Sequence, residues 1–396
     1  MKETKFKNTE IGKIPEEWKM YSIGKDCSVK ARIGWQGLTT SEYLQTGHYG
    51  LITSTDLIEG KVNWDTCVFV SEERYKQDTN IIVKNGDVLV SKDGTIGKVA
   101  VVSNLQYPTT LNSGVFVIRT KNEKITQEGL GLVFISPYFK DFIKRLTAGS
   151  TIVHLYQKDI VNFTFPIPTL PEQHRIASAL TSIDNLISSL GKLIEKKKNI
   201  KQGTMQQLLT GKIRLKGFDE PWVKRNLGEV CSVKRGVRVV KRNLTTDGLY
   251  PVYQNTIFPL GYSNQYNVEA NTPFVIIGGS AGQVGICRER YWAADDCAFF
   301  ACHDINTEYL YYVLLLNQSN ILHNVRTGTI PRLDRSFLSN MVVYISSNID
   351  EQQAIATILT KMDNEITALE TKKAKYEAIK QGMMQQLLTG KIRLIS

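Results

Sequence analysis

Two stretches of the chain carry apolar residues at alternating spacings of three and four: Ile176, Leu180, Ile183, Ile187, Leu190 and Ile194 in the first, Ile355, Leu359, Met362, Ile366 and Leu369 in the second. That spacing lays one apolar stripe along a helix and suits a coiled-coil seam. Pro171 fits the first turn of the first helix, while Gly211 and Gly390, each following "QQLLT", fit helix stops. Each helix would run roughly 40 residues, or about 60 Å at 1.5 Å per residue. Lys196, Lys197, Lys198 and Lys201 crowd the far end of the first helix and would be costly inside a globule. The pair is therefore expected to project from the folded domains.

The segments between follow a different rhythm. "NGDVLVSKDGTIGKVAVV" from Asn85 has two apolar runs separated by glycine-rich turns, and "TPFVIIGGSAGQVGI" from Thr272 repeats the layout. Each is followed by an alternating apolar run, "GVFVI" at Gly114 and "CAFFA" at Cys297. "GLGLVFISPYFKDFIKRL" and "TEYLYYVLLLNQSNILHNV" read as short helices apolar on one face. Glycine-centred loops, "AGSTIVHLYQKDI" and "RTGTIPRLDRSFL", then lead back to the long helices. The fold class expected is α+β, with strand-rich globules carried on helices.

The chain also says the same thing twice. "WKMYSIGKDCSVK" (Trp18 to Lys30) matches "WVKRNLGEVCSVK" (Trp222 to Lys234), and the helical stretches beginning "EQ" both end in "MQQLLTGKIRL". A duplication of this length outweighs any single motif. Likeness thins between these anchors, where the second copy is shorter; there "KDGTIGKVAVV" from Lys92 faces "GGSAGQVGICR" from Gly278.

Charge adds a partner class. A formal net charge of +11 over 396 residues favours a polyanion such as nucleic acid over an anionic membrane surface. No stretch approaches the length of uninterrupted apolar residues that spans a bilayer, and the N-terminus has no apolar leader, so a soluble cytoplasmic protein is expected. The six cysteines lack C-x-x-C spacing, and "CAFFAC" alternates like a strand, so Cys297, Cys302 and His303 read as core rather than as a zinc site. Phosphate-loop, HExxH and complete GxGxxG patterns are absent. Gly278 to Gly282 spell G-x-S-x-G around Ser280, yet a nucleophile elbow needs a helix directly afterwards and "QVGICRERYW" reads as a strand.

Two variable domains, each followed by a near-duplicate helix that begins "EQ" and ends "KQGxMQQLLTGKIRL", resemble the DNA-specificity (S) subunit of type I restriction-modification enzymes. The lead-in Gly12, Ile14, Pro15, Trp18 and the motifs "KDGTIGKVAVV" and "GSTIVHLYQKDI" strengthen the resemblance, which covers essentially the whole chain; Val153 and the second loop depart from the usual pattern. The resemblance implies target-recognition domains at 1–168 and 217–348, with helical spacers at 169–216 and 349–396 packed antiparallel. It implies a non-catalytic subunit that reads a bipartite double-stranded DNA target with a fixed gap. Two methyltransferase subunits, carrying S-adenosylmethionine for adenine N6 methylation, and restriction subunits using ATP and Mg would be its partners. The chain itself would hold no cofactor or metal.

Candidate DNA contacts follow from loop position and side-chain chemistry. Lys234, Arg235, Arg238, Lys241 and Arg242 form a basic stretch suited to phosphates. Arg332 and Arg335 in the second glycine loop suit base edges, since arginine can meet guanine bidentately. In the first domain the candidates are Lys92, Thr95 and Lys98 in the turn, His154, Tyr156, Gln157 and Lys158 in the later loop, and Arg32, Trp35 and Gln36 in an adaptable segment. The alternative reading is a coiled-coil scaffold that binds no DNA.

Overall fold

A computed structural model describes residues 4–34, 37–148, 154–240, 242 and 244–395. The chain divides into two compact units, residues 1–189 with 373–396, and residues 190–372. Each is built on the same frame.

In the first unit, strands Val99–Val101, Val88–Ser91, Val115–Thr120 and Cys27–Lys30 form an antiparallel sheet in that order. Strict alternation places its two faces in different cores. Val88, Val90, Phe116 and Ile118 pack against the helices and Phe134, Phe139, Phe163 and Phe165. Leu89, Val115 and Val117 face Ile52 and Leu111 of a small three-stranded sheet. There, Tyr49–Ile52 pairs parallel with Thr109–Leu111 and antiparallel with Val68–Val70.

The second unit repeats this order with Val284–Ile286, Pro273–Ile276, Cys297–Cys302 and Cys231–Arg235. Tyr250–Tyr253 again pairs parallel with one strand, Trp292–Ala293, and antiparallel with another, Gly261–Ser263. Its Val275, Ala298 and Phe300 face the main core, whereas Phe274, Ile276 and Cys297 face the smaller one. The first copy is longer because it carries the hairpin Leu57–Ile58/Lys61–Val62 and the helix Glu72–Lys76, which have no counterpart among the described residues of the second.

The two helical readings between the strands each split in two. Pro137 disfavours helical backbone at Ser136, which is extended (ψ 163°), so Gln127–Ile135 stops and Pro137–Thr147 starts afresh. Thr307–Leu316 and Gln318–His323 are divided at Asn317.

The long helices are Leu170–Leu208 and Ile349–Leu387, 39 residues each. They run antiparallel within each unit. In the first, Lys380 pairs with Asp184 at 2.6 Å. In the second, Lys197 meets Glu365 and Lys198 meets Glu370, both at 2.7 Å, and Lys201 meets Asp363. Ile176, Leu180, Ile183, Leu190, Ile194, Ile355, Leu359 and Ile366 are buried along the seam; Ile187, Met362 and Leu369 are half-buried.

The helix ends are rooted in the domain cores. In the second unit Ile355, Ala356, Leu359, Met205 and Leu208 belong to the same core as Tyr309, Val313 and Leu338. In the first unit Ile176, Leu180, Leu387 and Leu388 pack with Leu132 and Ile135. Lys197, Lys198 and Lys201 are thus paired, and Lys196 is exposed; Lys201, only 16% exposed, also lies 5.5 Å from the Tyr312 ring centre, and Tyr312 Oη donates to Asp363 at 2.8 Å.

The repeated words have a structural meaning in each unit. Glu172, fully buried, accepts from Trp18 Nε1 at 3.1 Å and from Arg393 at 2.6 and 2.8 Å. Glu351 accepts from Trp222 Nε1 at 3.2 Å and from Arg214 at 2.6 and 2.9 Å. The "KIRL" arginine of either copy thus locks the "EQ" glutamate of the other. The hydrogen bonds to the carboxylates raise both guanidinium pKa values above their ordinary range. The neighbouring glutamines serve a second purpose: Gln173 accepts from the backbone of Thr126, and Gln352 from that of Asn306, the N-caps of helices Gln127–Ile135 and Thr307–Leu316.

Candidate nucleic-acid interface

Both domains place a glycine turn beside the later loop by the same backbone bonds. The first turn has Gly94 and Gly97 at φ 70° and 76°, the second Gly279 and Gly282 at 86° and 87°, a left-handed backbone that suits glycine. Gly97 N–H donates to Ser91 and Gly282 N–H to Ile276. These bonds set Gly94 opposite Gly279, so Lys92 corresponds to Ile277. The pairing of Lys92 with Gly278 expected from sequence is off by one residue, a slip invisible where both strands are apolar and both turns rich in glycine.

The later loop docks where Leu155 N–H reaches the Lys92 carbonyl at 2.8 Å and Leu333 N–H reaches that of Ile277 at 3.0 Å. Isolated bridges join Asp93 to His154 and Gly278 to Arg332. Lys92, Thr95, Lys98, His154, Tyr156, Gln157 and Lys158 are thereby gathered on one turn-and-loop assembly. Thr95, His154, Tyr156, Gln157 and Lys158 are exposed, Lys92 and Lys98 half-buried. Lys158 Nζ lies 5.5 Å from the Tyr156 ring centre, and Lys92 Nζ 5.7 Å from that of Phe116. In the second domain Arg332 and Arg335 are both exposed. Arg335 opens the helix Arg335–Asn340, which Asp334 caps by accepting from Ser336 N–H at 2.9 Å.

Sequence reasoning missed the acids of this assembly. His154 Nδ1 lies 2.6 Å from Asp93 Oδ1, and Arg332 Nη1 donates to Asp296 Oδ1 at 2.9 Å. Asp93 stood in a quoted motif, but Asp296 sits at the mouth of a neighbouring strand, and only tertiary structure brings it to the loop.

Arg32 is a correction. It is 2% exposed, and its guanidinium donates to the carbonyls of Leu111 and Arg74 and to Thr110 and Gln77. Burial lowers its pKa from the ordinary value, and the side chain ties elements of the domain together instead of facing a ligand. Trp35, Gln36 and Lys241 lie outside the described residues. Lys234, Arg238 and Arg242 are exposed. Arg235 is also exposed, but its Nε already donates to the Asp295 carbonyl at 2.7 Å.

Ser280 occupies the glycine turn, its N–H bonded to the Asn255 carbonyl, and strand Val284–Ile286 follows in place of the helix that an elbow needs. The thiols are core groups: burial pushes Cys231 up to about 12 and Cys302 to about 11, leaving them protonated at neutral pH. No helix among the described residues is long and apolar enough to cross a membrane.

A duplicated recognition frame with basic loops defines a class, and the comparisons identify it. Residues 15–202 and 219–381 both match the type I restriction modification DNA specificity domain, and the chain belongs to that family. Among its relatives, the putative type I restriction enzyme MjaX specificity subunit of Methanocaldococcus jannaschii is 24% identical over 99% of this chain and 98% of its own length. The MjaVIII specificity subunit of the same organism is 29% identical over 54% of this chain, but the match spans only half of that protein. The crystal structure of a type I restriction-modification S subunit from M. genitalium shares the fold, with a TM-score of 0.69 at 16% identity over 93% of this chain and 96% of that one.

Proposed function

We propose that this protein reads a two-part double-stranded DNA sequence, one half per domain, and directs methyltransferase and restriction subunits to it without chemistry of its own. The observation that carries the reading is the duplicated turn-and-loop assembly. Its backbone bonds are the same in both domains, while the exposed side chains differ, His154, Gln157 and Lys158 in one and Arg332 and Arg335 in the other. A constant frame with variable side chains suits a reader of two different half-sites. Thr95 and Lys98, with Lys234, Arg238 and Arg242, would hold phosphates, giving binding that weakens steeply with salt.

In this reading the antiparallel helices set the gap between half-sites. The partners supply the reactions, S-adenosylmethionine in two methyltransferase subunits and ATP with Mg in the restriction subunits. The test is co-expression with the methyltransferase subunit followed by single-molecule sequencing for N6-methyladenine. A two-part motif with a fixed gap is expected. A stable complex that methylates no such motif and shows no salt-dependent DNA binding would leave a protein scaffold instead.

A further inference from the structure

The acids beside the two loops come from different places in the frame. In the first domain Asp93 stands on the turn, and the strand position facing it is Gly114, whose carbonyl accepts from Lys92 N–H. In the second domain the turn position is Gly278, and the facing position is Asp296, whose carbonyl accepts from Ile277 N–H. Aspartate and glycine have exchanged sites. A Cβ on Gly278 would come within 2.4 Å of Asp296 Oδ1, and one on Gly114 within 3.5 Å of Asp93 Oδ2. The second spot is closed to a further side chain by its carboxylate, whereas the first would take one in ordinary contact; each domain supplies one acid to the basic residue of its own loop.

Neither a turn nor a strand end requires an acid at both sites in alternation. A surface ion pair contributes little to stability, and a carboxylate beside a DNA-facing loop opposes a polyanion. What the acid can provide is aim. Arg332 is 54% exposed in its side chain, and among the described residues Asp296 is the only hydrogen-bond partner of its guanidinium. Held through Nη1, the planar fork keeps its remaining donors in a set direction, and less freedom is lost when they meet a base.

Resting on the DNA-reading function above, we propose that Asp296 is a positioning residue that aims Arg332 at a guanine of the half-site read by the second domain; Asp93 does the same for His154 in the first. Guanine is the base that offers two acceptors, O6 and N7, to one arginine in the major groove.

The experiment maps methylation by the co-expressed complex carrying Asp296→Asn, Arg332→Lys, Asp93→Asn, Asp296→Gly, or Asp296→Gly with Gly278→Asp. Asp296→Asn and Arg332→Lys should each relax the same guanine position in one half-site, raising methylation at substituted sites about tenfold. The other half-site stays fixed. Asp93→Asn should relax that other half instead. Non-specific DNA affinity should rise in Asp296→Asn, whereas a merely structural loss would lower specific and non-specific binding together. The double variant, which moves the carboxylate to the place it holds in the first domain, should restore the guanine that Asp296→Gly loses. An unchanged motif in both Asp296 variants overturns the positioning role, as does relaxation at a base other than the one Arg332→Lys affects. A wild-type complex that methylates no two-part motif overturns the underlying function and this inference with it.

Discussion

At the residue scale the strongest commitments are the two buried glutamates. A buried carboxylate is tolerable only when paired and fully hydrogen-bonded, and Glu351 meets that condition through Arg214, Trp222 and Ser346. Glu351→Ala would leave the Trp222 indole N–H without a partner and deprive Arg214 and Ser346 of their carboxylate, and is expected to cost about 3 kcal/mol in urea unfolding. Trp222→Phe, which removes one donor and replaces the indole with a smaller ring, should cost less, about 1–2 kcal/mol. If the two variants unfold alike, the lock is packing rather than charge. Arg32 supports the same kind of prediction: Arg32→Met should lower the unfolding midpoint by leaving the Leu111 carbonyl without its partner, yet leave the methylated motif unchanged. A relaxed motif would return Arg32 to the reading surface.

At the element scale the long helices carry glycine in two opposite situations. Gly203 and Gly382 lie in helix interiors with nothing within 4 Å of an added Cβ, so alanine at either should stabilise the protein by about 1 kcal/mol. Gly390 has φ 70°, and an added Cβ would approach Pro15 to 2.3 Å. Alanine there should destabilise by more than about 1 kcal/mol, a sign difference that thermal melting of the three variants would reveal. The helices were legible because a 3–4 spacing survives over many turns, and "CAFFAC" because alternation does. What stayed hidden was contact between distant words. Nothing in "EQ" or "KIRL" says that Glu172 meets Arg393, or that Asp296 reaches a loop after Gly328. The turn register slipped for the same reason: Ile277 and Gly278 are equally acceptable to an apolar pattern, and the backbone bonds of Gly282 and Leu333 decide between them.

At the scale of the whole molecule, the proposed spacer role makes helix length a variable that DNA can measure. Each unit closes its own lock, Trp18, Glu172 and Arg393 in one and Trp222, Glu351 and Arg214 in the other, so residues added between the locks leave both domains intact. Seven residues inserted after Ser188, with seven after Lys375, preserve the apolar heptad and lengthen each helix by about 10 Å at 1.5 Å per residue. With base pairs stacked about 3.4 Å apart along the duplex, the gap between half-sites should grow by about three base pairs, while both half-site sequences stay the same. Five residues instead of seven would turn the second half of each helix by about 140°, carrying its apolar stripe out of the seam, and methylation should then be lost. Single-molecule methylation mapping distinguishes these results, and an unchanged gap after the seven-residue insertion would exclude the helices as the spacer.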